Sequence, residues 1–169
     1  MGAAGPAGRT AVSFWFFALT AAGVLAGQDL CSLLLGAAIH EAGHLAALFG
    51  FGGRIGKFRL GAFGAEILPR YAEPPGALAE LLILLAGPAA GLAAGAAALL
   101  GGFPRFAAVN LALSCFNLLP LPGLDGGSVL ALLRDPDLPA VGRLLAAATA
   151  VAVVTAATLV WTGISCAPI

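Results

Sequence analysis

Apolar runs of bilayer length recur along this chain, and they leave little choice about where it can fold. Segments 30–50, 77–100 and 144–163 approach or exceed the ~20 residues that a helix needs to cross a roughly 30 Å hydrocarbon core, and a further run covers 11–27. Hydrophobic residues are 60% of the 169 and charged residues only 9%, against about 45–50% and about 25% in soluble domains. In water such a chain would lack the polar residues needed to cover its surface. The expected fold is an all-α polytopic membrane protein with about five transmembrane helices, a single domain over 1–169. The formal net charge is zero and no long basic run occurs, so no nucleic-acid partner is expected. Cys31, Cys115 and Cys166 form no Cys-x-x-Cys pair and read as small apolar packing residues.

Between the runs the composition changes. Residues 1–10 are rich in Gly and Ala with one charge, Arg9, and read as a disordered tail. Segment 11–27 reads as a retained span whose Phe14, Trp15, Phe16 and Phe17 suit an interfacial anchor. The competing reading is a secretory signal cleaved near Val24-Leu25-Ala26. Residues 51–76 carry Arg54, Lys57, Arg59, Glu66, Arg70 and Glu73. Alternation over 57–60, a glycine-bounded turn at 61–64 and a return over 65–68 predict a small β-hairpin after the second span. The fourth segment, 106–119, is short and runs into Pro120, Pro122, Gly123, Gly126 and Gly127, which end a helix. Non-helical backbone at membrane depth survives only where it is packed in protein or lines a wet cavity, so this break marks a site. Residues 134–143 read as a polar loop before the last span. Placing the N-terminus in the cytoplasm puts Arg9, the basic residues of 51–76, Arg134 and Arg143 on the inner side, with only Asp29 and Arg105 in outer loops.

The chemistry concentrates at His40-Glu41-Ala42-Gly43-His44. Residues four apart share one helix face, so the two imidazoles can bind one Zn²⁺ through nitrogens at about 2.0–2.1 Å. Glu41 between them would take a proton from a water that the metal activates. Isolated histidines in apolar helices are usually packed, hydrogen-bonded side chains. Here, however, both histidines of the chain fall in the motif, roughly 15 Å into its span at 1.5 Å per residue. Ionisable groups at such depth are costly and mark function. A catalytic zinc site usually has three protein ligands plus water. Bare chemistry leaves Asp125, Glu66 and Glu80 open as the third, with Asp125 favoured because Gly126 and Gly127 let its backbone approach another helix.

His40-Glu41-x-x-His44, followed by Asn117-x-x-Pro120-x-Pro122-x-x-Asp125-Gly126-Gly127, resembles the site-2 protease family of intramembrane metalloproteases. The resemblance covers about 30–135, the three-span core. The compact chain, without appended PDZ or regulatory domains, is most similar to bacterial sporulation-type members that release a sigma factor from a membrane-tethered precursor. The resemblance implies that His40, His44 and Asp125 ligate zinc and Glu41 is the general base. It also implies that Asn117 binds substrate or polarises its scissile carbonyl; the rival role for Asn117 is helix C-capping. The hairpin also matches a membrane-associated hairpin of that family, which could pair with an extended substrate strand. Ala86-Gly87-Pro88-Ala89-Ala90-Gly91 departs from the family's Gly-Pro-x-x-Asn motif, because Gly91 stands where Asn is common. Gly87, Gly91 and Gly95, four apart, read as a helix-packing stripe.

These readings imply an intramembrane zinc metalloprotease in a bacterial cytoplasmic membrane. Its partners would be the lipid bilayer, a membrane-tethered protein substrate and membrane regulatory proteins. Two other classes compete: a metal-ion transporter, which would be expected to show a second site or a repeat, and a catalytically silent scaffold, which would have no use for Glu41.

Overall fold

The computed structural model describes residues 10, 11, 27, 30–61 and 64–151. Five helices occur among them: α1 (Leu30–Gly50), α2 (Ala77–Leu100), α3 (Pro104–Asn117), α4 (Asp125–Leu132) and α5 (Ala140–Val151). Two of these, α1 and α2, are long and apolar enough to cross a membrane, at 21 and 24 residues. Segment 11–27, apart from its end residues, and the last span beyond Val151 lie outside the described residues.

Helices α1 and α2 end alike, and both ends follow from glycine. After α1, Gly52 takes a φ of 76°, Gly53 N–H donates to Leu48 O at 2.9 Å and Gly52 N–H to Phe49 O at 3.0 Å. After α2, Gly102 takes a φ of 80°, Phe103 N–H reaches Ala98 O at 2.8 Å and Gly102 N–H reaches Leu99 O at 3.2 Å. Each is a left-handed closure that satisfies two orphan carbonyls at a helix end. Helix α3 then starts with Pro104 in its first turn, where the missing N–H costs nothing.

The hairpin is present and longer than the alternation suggests. Strands β2 (Arg54–Gly61) and β3 (Gly64–Arg70) pair antiparallel, with a bulge between Ile55 and Lys57. A third, two-residue strand, β1 (Thr10–Ala11), pairs antiparallel with β3, giving the order β1-β3-β2. This corrects the reading of residue 10 as part of a loose tail: its backbone is tied to Ile67. The polar stretch 134–143 is also not wholly loop, because α5 begins at Ala140. Pro139 accepts from Gly142 N–H at 2.9 Å, so proline opens this helix too.

Helix α2 is the centre of the arrangement and packs on α1, α3 and α4. Glycines set how closely. A Cβ at Gly43 would lie 2.5 Å from Ala86 O and 2.7 Å from Ala90 Cβ, so α1 and α2 meet backbone to backbone. Gly91 faces Ser114, and Gly95 faces Ala107 and Asn110, which seats α3 on the other side. The three-glycine stripe is thus a packing surface, as its spacing suggests. Leu33, Val109 and Leu113 join α1 to α3, while Leu81, Val129, Leu132, Leu138 and Ala146 join α2, α4 and α5. Large apolar side chains also face outward, among them Leu34, Leu35, Phe49, Leu99 and Leu144. Exposed apolar surface on this scale marks an interaction with protein or membrane.

Gly43→Val should force α1 off α2 and destabilise the folded chain by about 1–3 kcal/mol. Gly50→Ala, with nothing within 4 Å, should change stability by no more than about 1 kcal/mol. Thermal unfolding in detergent measures both.

Candidate metal centre

Helix α1 buries one stripe: Leu33, Gly36, His40, His44 and Leu48. The spacing of three and four follows the helical period, so both imidazoles point the same way. Their ring centroids lie 4.8 Å apart with planes at 77°. Both rings are buried.

His44 is fixed from behind. Its Nδ1–H donates to the Ile83 carbonyl of α2 at 2.8 Å. That bond sets the tautomer and leaves Nε2 as a lone pair. Gly87 makes the arrangement possible, because any Cβ there would run into the His44 ring. The glycine therefore does more than pack two helices; it makes room for an imidazole.

Asp125 arrives from the opposite side, on the first residue of α4. The chain between α3 and α4 folds back tightly. Leu121 N–H donates to Leu119 O at 2.7 Å, and Gly123 takes a φ of 86°. Pro120 and Pro122 have no N–H to place. The turn lies directly over α4: a Cβ at Gly126 would collide with the Leu118 and Leu119 carbonyls, and one at Gly127 with the Leu121 carbonyl. The Asp-Gly-Gly sequence thus has a steric cause, since only bare backbone fits under the turn that delivers the carboxylate.

The three side chains converge. Asp125 Oδ2 lies 3.0 Å from His40 Nε2 and 3.2 Å from His44 Nε2, and the two Nε2 atoms are 3.1 Å apart. Without an ion, His40 Nε2–H can donate to the Asp125 carboxylate; with the Nε2 atoms unprotonated, the same three atoms present a convergent donor set to a cation. The triangle fits a small divalent metal: a tetrahedral site with bonds of about 2.0–2.1 Å separates its ligand atoms by roughly 3.3 Å. His40, His44 and Asp125 form a group able to hold a metal ion, with their ligand atoms within 4.8 Å of one another.

The other residues singled out by the sequence fall as follows. Glu41 is half-buried beside His40, within electrostatic reach of both histidines and Asp125. Glu80 sits in the first turn of α2 and Glu66 on β3; among the described residues the group comprises His40, His44 and Asp125. Asn117 is the last residue of α3, and its amide donates to Leu113 O at 2.9 Å, one turn back. Sequence reasoning missed the Ile83 carbonyl, which no side-chain pattern can disclose. It also missed Asn110 and Ser114, both fully buried on α3. A signal for these existed, because they are polar and four apart in an apolar helix, like the histidines. The chain matches no protein-family model and no curated protein.

Purified wild type should carry close to one equivalent of divalent metal. His44→Ala and Asp125→Ala should lose it, with affinity falling at least about 100-fold, and Gly87→Ala should weaken binding about 10–100-fold by displacing the ring. Metal analysis by mass spectrometry, with chelator competition, reads all three.

Proposed function

We propose that this chain is an integral-membrane zinc metalloprotease that hydrolyses a peptide bond of a membrane-tethered protein within or beside the bilayer. The observation that carries the reading is the convergence of His40, His44 and Asp125 on one point, next to Glu41, on a helix apolar enough to span a membrane. Two neutral imidazoles, one carboxylate and a flanking glutamate are the donor set of a catalytic zinc site with an open position. A zinc ion held there would supply Lewis acidity and lower the pKa of a water to about 7.

The chain's own residues do the rest. Asp125 contributes the negative charge that favours a dication over two neutral rings. The Ile83 carbonyl holds His44 in the tautomer that presents Nε2. Glu41 accepts the proton of the attacking water and returns it to the leaving amine, the usual work of a positioned carboxylate. Asn117 stands at the end of α3, on the turn that walls the site, and would bind the substrate backbone once its amide leaves Leu113 O. A transmembrane substrate must unwind locally, because a helix keeps its peptide groups bonded within itself. The outer edge of β2, the end strand of the sheet among the described residues, offers main-chain partners for such an extended stretch.

The finer assignment joins these features to the sequence resemblance. The chain has about five spans with its N-terminus in the cytoplasm. It sits in a bacterial cytoplasmic membrane and acts as a site-2 protease of the compact sporulation type, releasing a tethered transcription factor such as a sigma factor.

Co-expression with a tethered pro-sigma precursor should give cleavage by wild type. Glu41→Gln should keep its zinc and cut about 10²–10⁴-fold more slowly. Equal cutting by wild type and Glu41→Gln would remove Glu41 as the base. If zinc binds but wild type cuts no tethered precursor, metal flux through the same site becomes the better account.

A further inference from the structure

One ligand is incompletely held. His44 has its Ile83 carbonyl, but His40 Nδ1 is buried with no hydrogen-bond partner. A histidine that binds a metal through Nε2 almost always donates its Nδ1–H to a carboxylate, carbonyl or water, which fixes ring and tautomer. Two other buried side-chain atoms share this condition: Asn110 Oδ1 and Ser114 Oγ. Both can accept a hydrogen bond, and both residues are completely buried. A buried acceptor left unpaired is destabilising, so its place in the fold calls for a cause.

The three side chains lie on two adjoining turns of the helix assembly. Asn110 Oδ1 faces Gly36 of α1, 3.5 Å from where a Cβ would stand. One turn further along α1 is His40, and one turn further along α3 is Ser114. Helix α2 runs the other way: Gly87 faces His44, and Gly91, one turn on, faces Ser114. Gly91 therefore lies level with His40 on one side and Ser114 on the other. Asn110 keeps its Nδ2 on the Phe106 carbonyl at 2.9 Å, and its oxygen faces α1 at Gly36, one turn before His40.

We propose that Asn110 and Ser114 are positioning residues for His40: together they take its Nδ1–H, through water where the gap exceeds direct reach, and hold its Nε2 toward the metal. Gly91 is what admits them, since a Cβ there would strike the Ser114 hydroxyl. The polar group of these turns is carried by α3, and α2 stays bare to receive it. The proposal rests on the metal-centre reading: His40 has an Nδ1–H to give once its Nε2 is committed to the metal.

The chain's two histidines give a clean spectroscopic test. Imidazole ¹⁵N spectra of the full chain in detergent, at a pH where both rings are neutral, report each tautomer. Zinc-loaded wild type should show both rings as Nδ1–H, each proton hydrogen-bonded. In Ser114→Ala, and more strongly in Asn110→Leu, the His40 Nδ1–H signal should move toward that of an unbonded imidazole, while that of His44 stays fixed by Ile83. Zinc affinity should fall about 10–100-fold in the same variants. Unchanged His40 signals in both variants would overturn the proposal. Higher thermal stability in both, with zinc affinity unaltered, would also overturn it, because the two groups would then be mere buried orphans. If wild type takes up no metal, the metal-centre reading fails and the proposal falls with it; zinc uptake with unmoved His40 signals in both variants defeats the proposal alone. Ser114→Ala replaces a hydroxyl by a strong helix former, which keeps the test open if Asn110→Leu does not fold.

Discussion

The closeness of α1 and α2 is the constraint on which everything else rests. Gly43 lies against the Ala86 carbonyl and Gly87 against the His44 ring, so neither helix can move apart or rotate without uncovering the site. Were the helices at the 8–10 Å spacing that larger side chains impose, His44 would lose Ile83, its tautomer would be free, and Asp125 would face one oriented ligand instead of two. In lipid, which offers no hydrophobic drive for helices to associate, small residues and interhelical hydrogen bonds would have to do it. Here the same contacts that associate the helices also orient a ligand.

Polarity is rationed in this fold and placed in pairs one turn apart. His40 and His44 lie on α1, Asn110 and Ser114 on α3, and His44, Asn110 and Ser114 each face bare glycine backbone of α2 or α1. Glycine at these positions lowers helix propensity by about 1 kcal/mol each, yet it is the residue that lets a polar side chain enter an apolar interface without a void. A single architectural device thus serves both layers.

Much of this was legible in the sequence, and the reasons are specific. The bounds of α1 and α2 fall at 30–50 and 77–100 as hydropathy suggests, because Gly52 and Gly102 stop the helices where the apolar runs stop. The two histidines announce themselves by spacing, and Asp125 by the glycines after it. Other features depend on tertiary register. No local pattern says that Thr10 will pair with Ile67, or that the carbonyl of Ile83 will be the one under His44. Helix α5 starts early because Pro139 opens a helix that the charges of 134–143 obscure. Asn117, set apart by its place in a motif, turns out to be bonded within its own helix.

The turn over Gly126 and Gly127 also has a consequence for the order of assembly. Asp125 lies 85 and 81 residues after His40 and His44, and it reaches them only once the backbone of 118–122 has closed over α4. Loop closure of that length precedes any contact it enables, and chains emerge from synthesis N-terminus first. The histidines are therefore in place, bound to α2 through Ile83, well before a third ligand exists. The centre is completed last, so a chain interrupted before residue 125 holds two imidazoles on one helix face and no carboxylate to close the triangle.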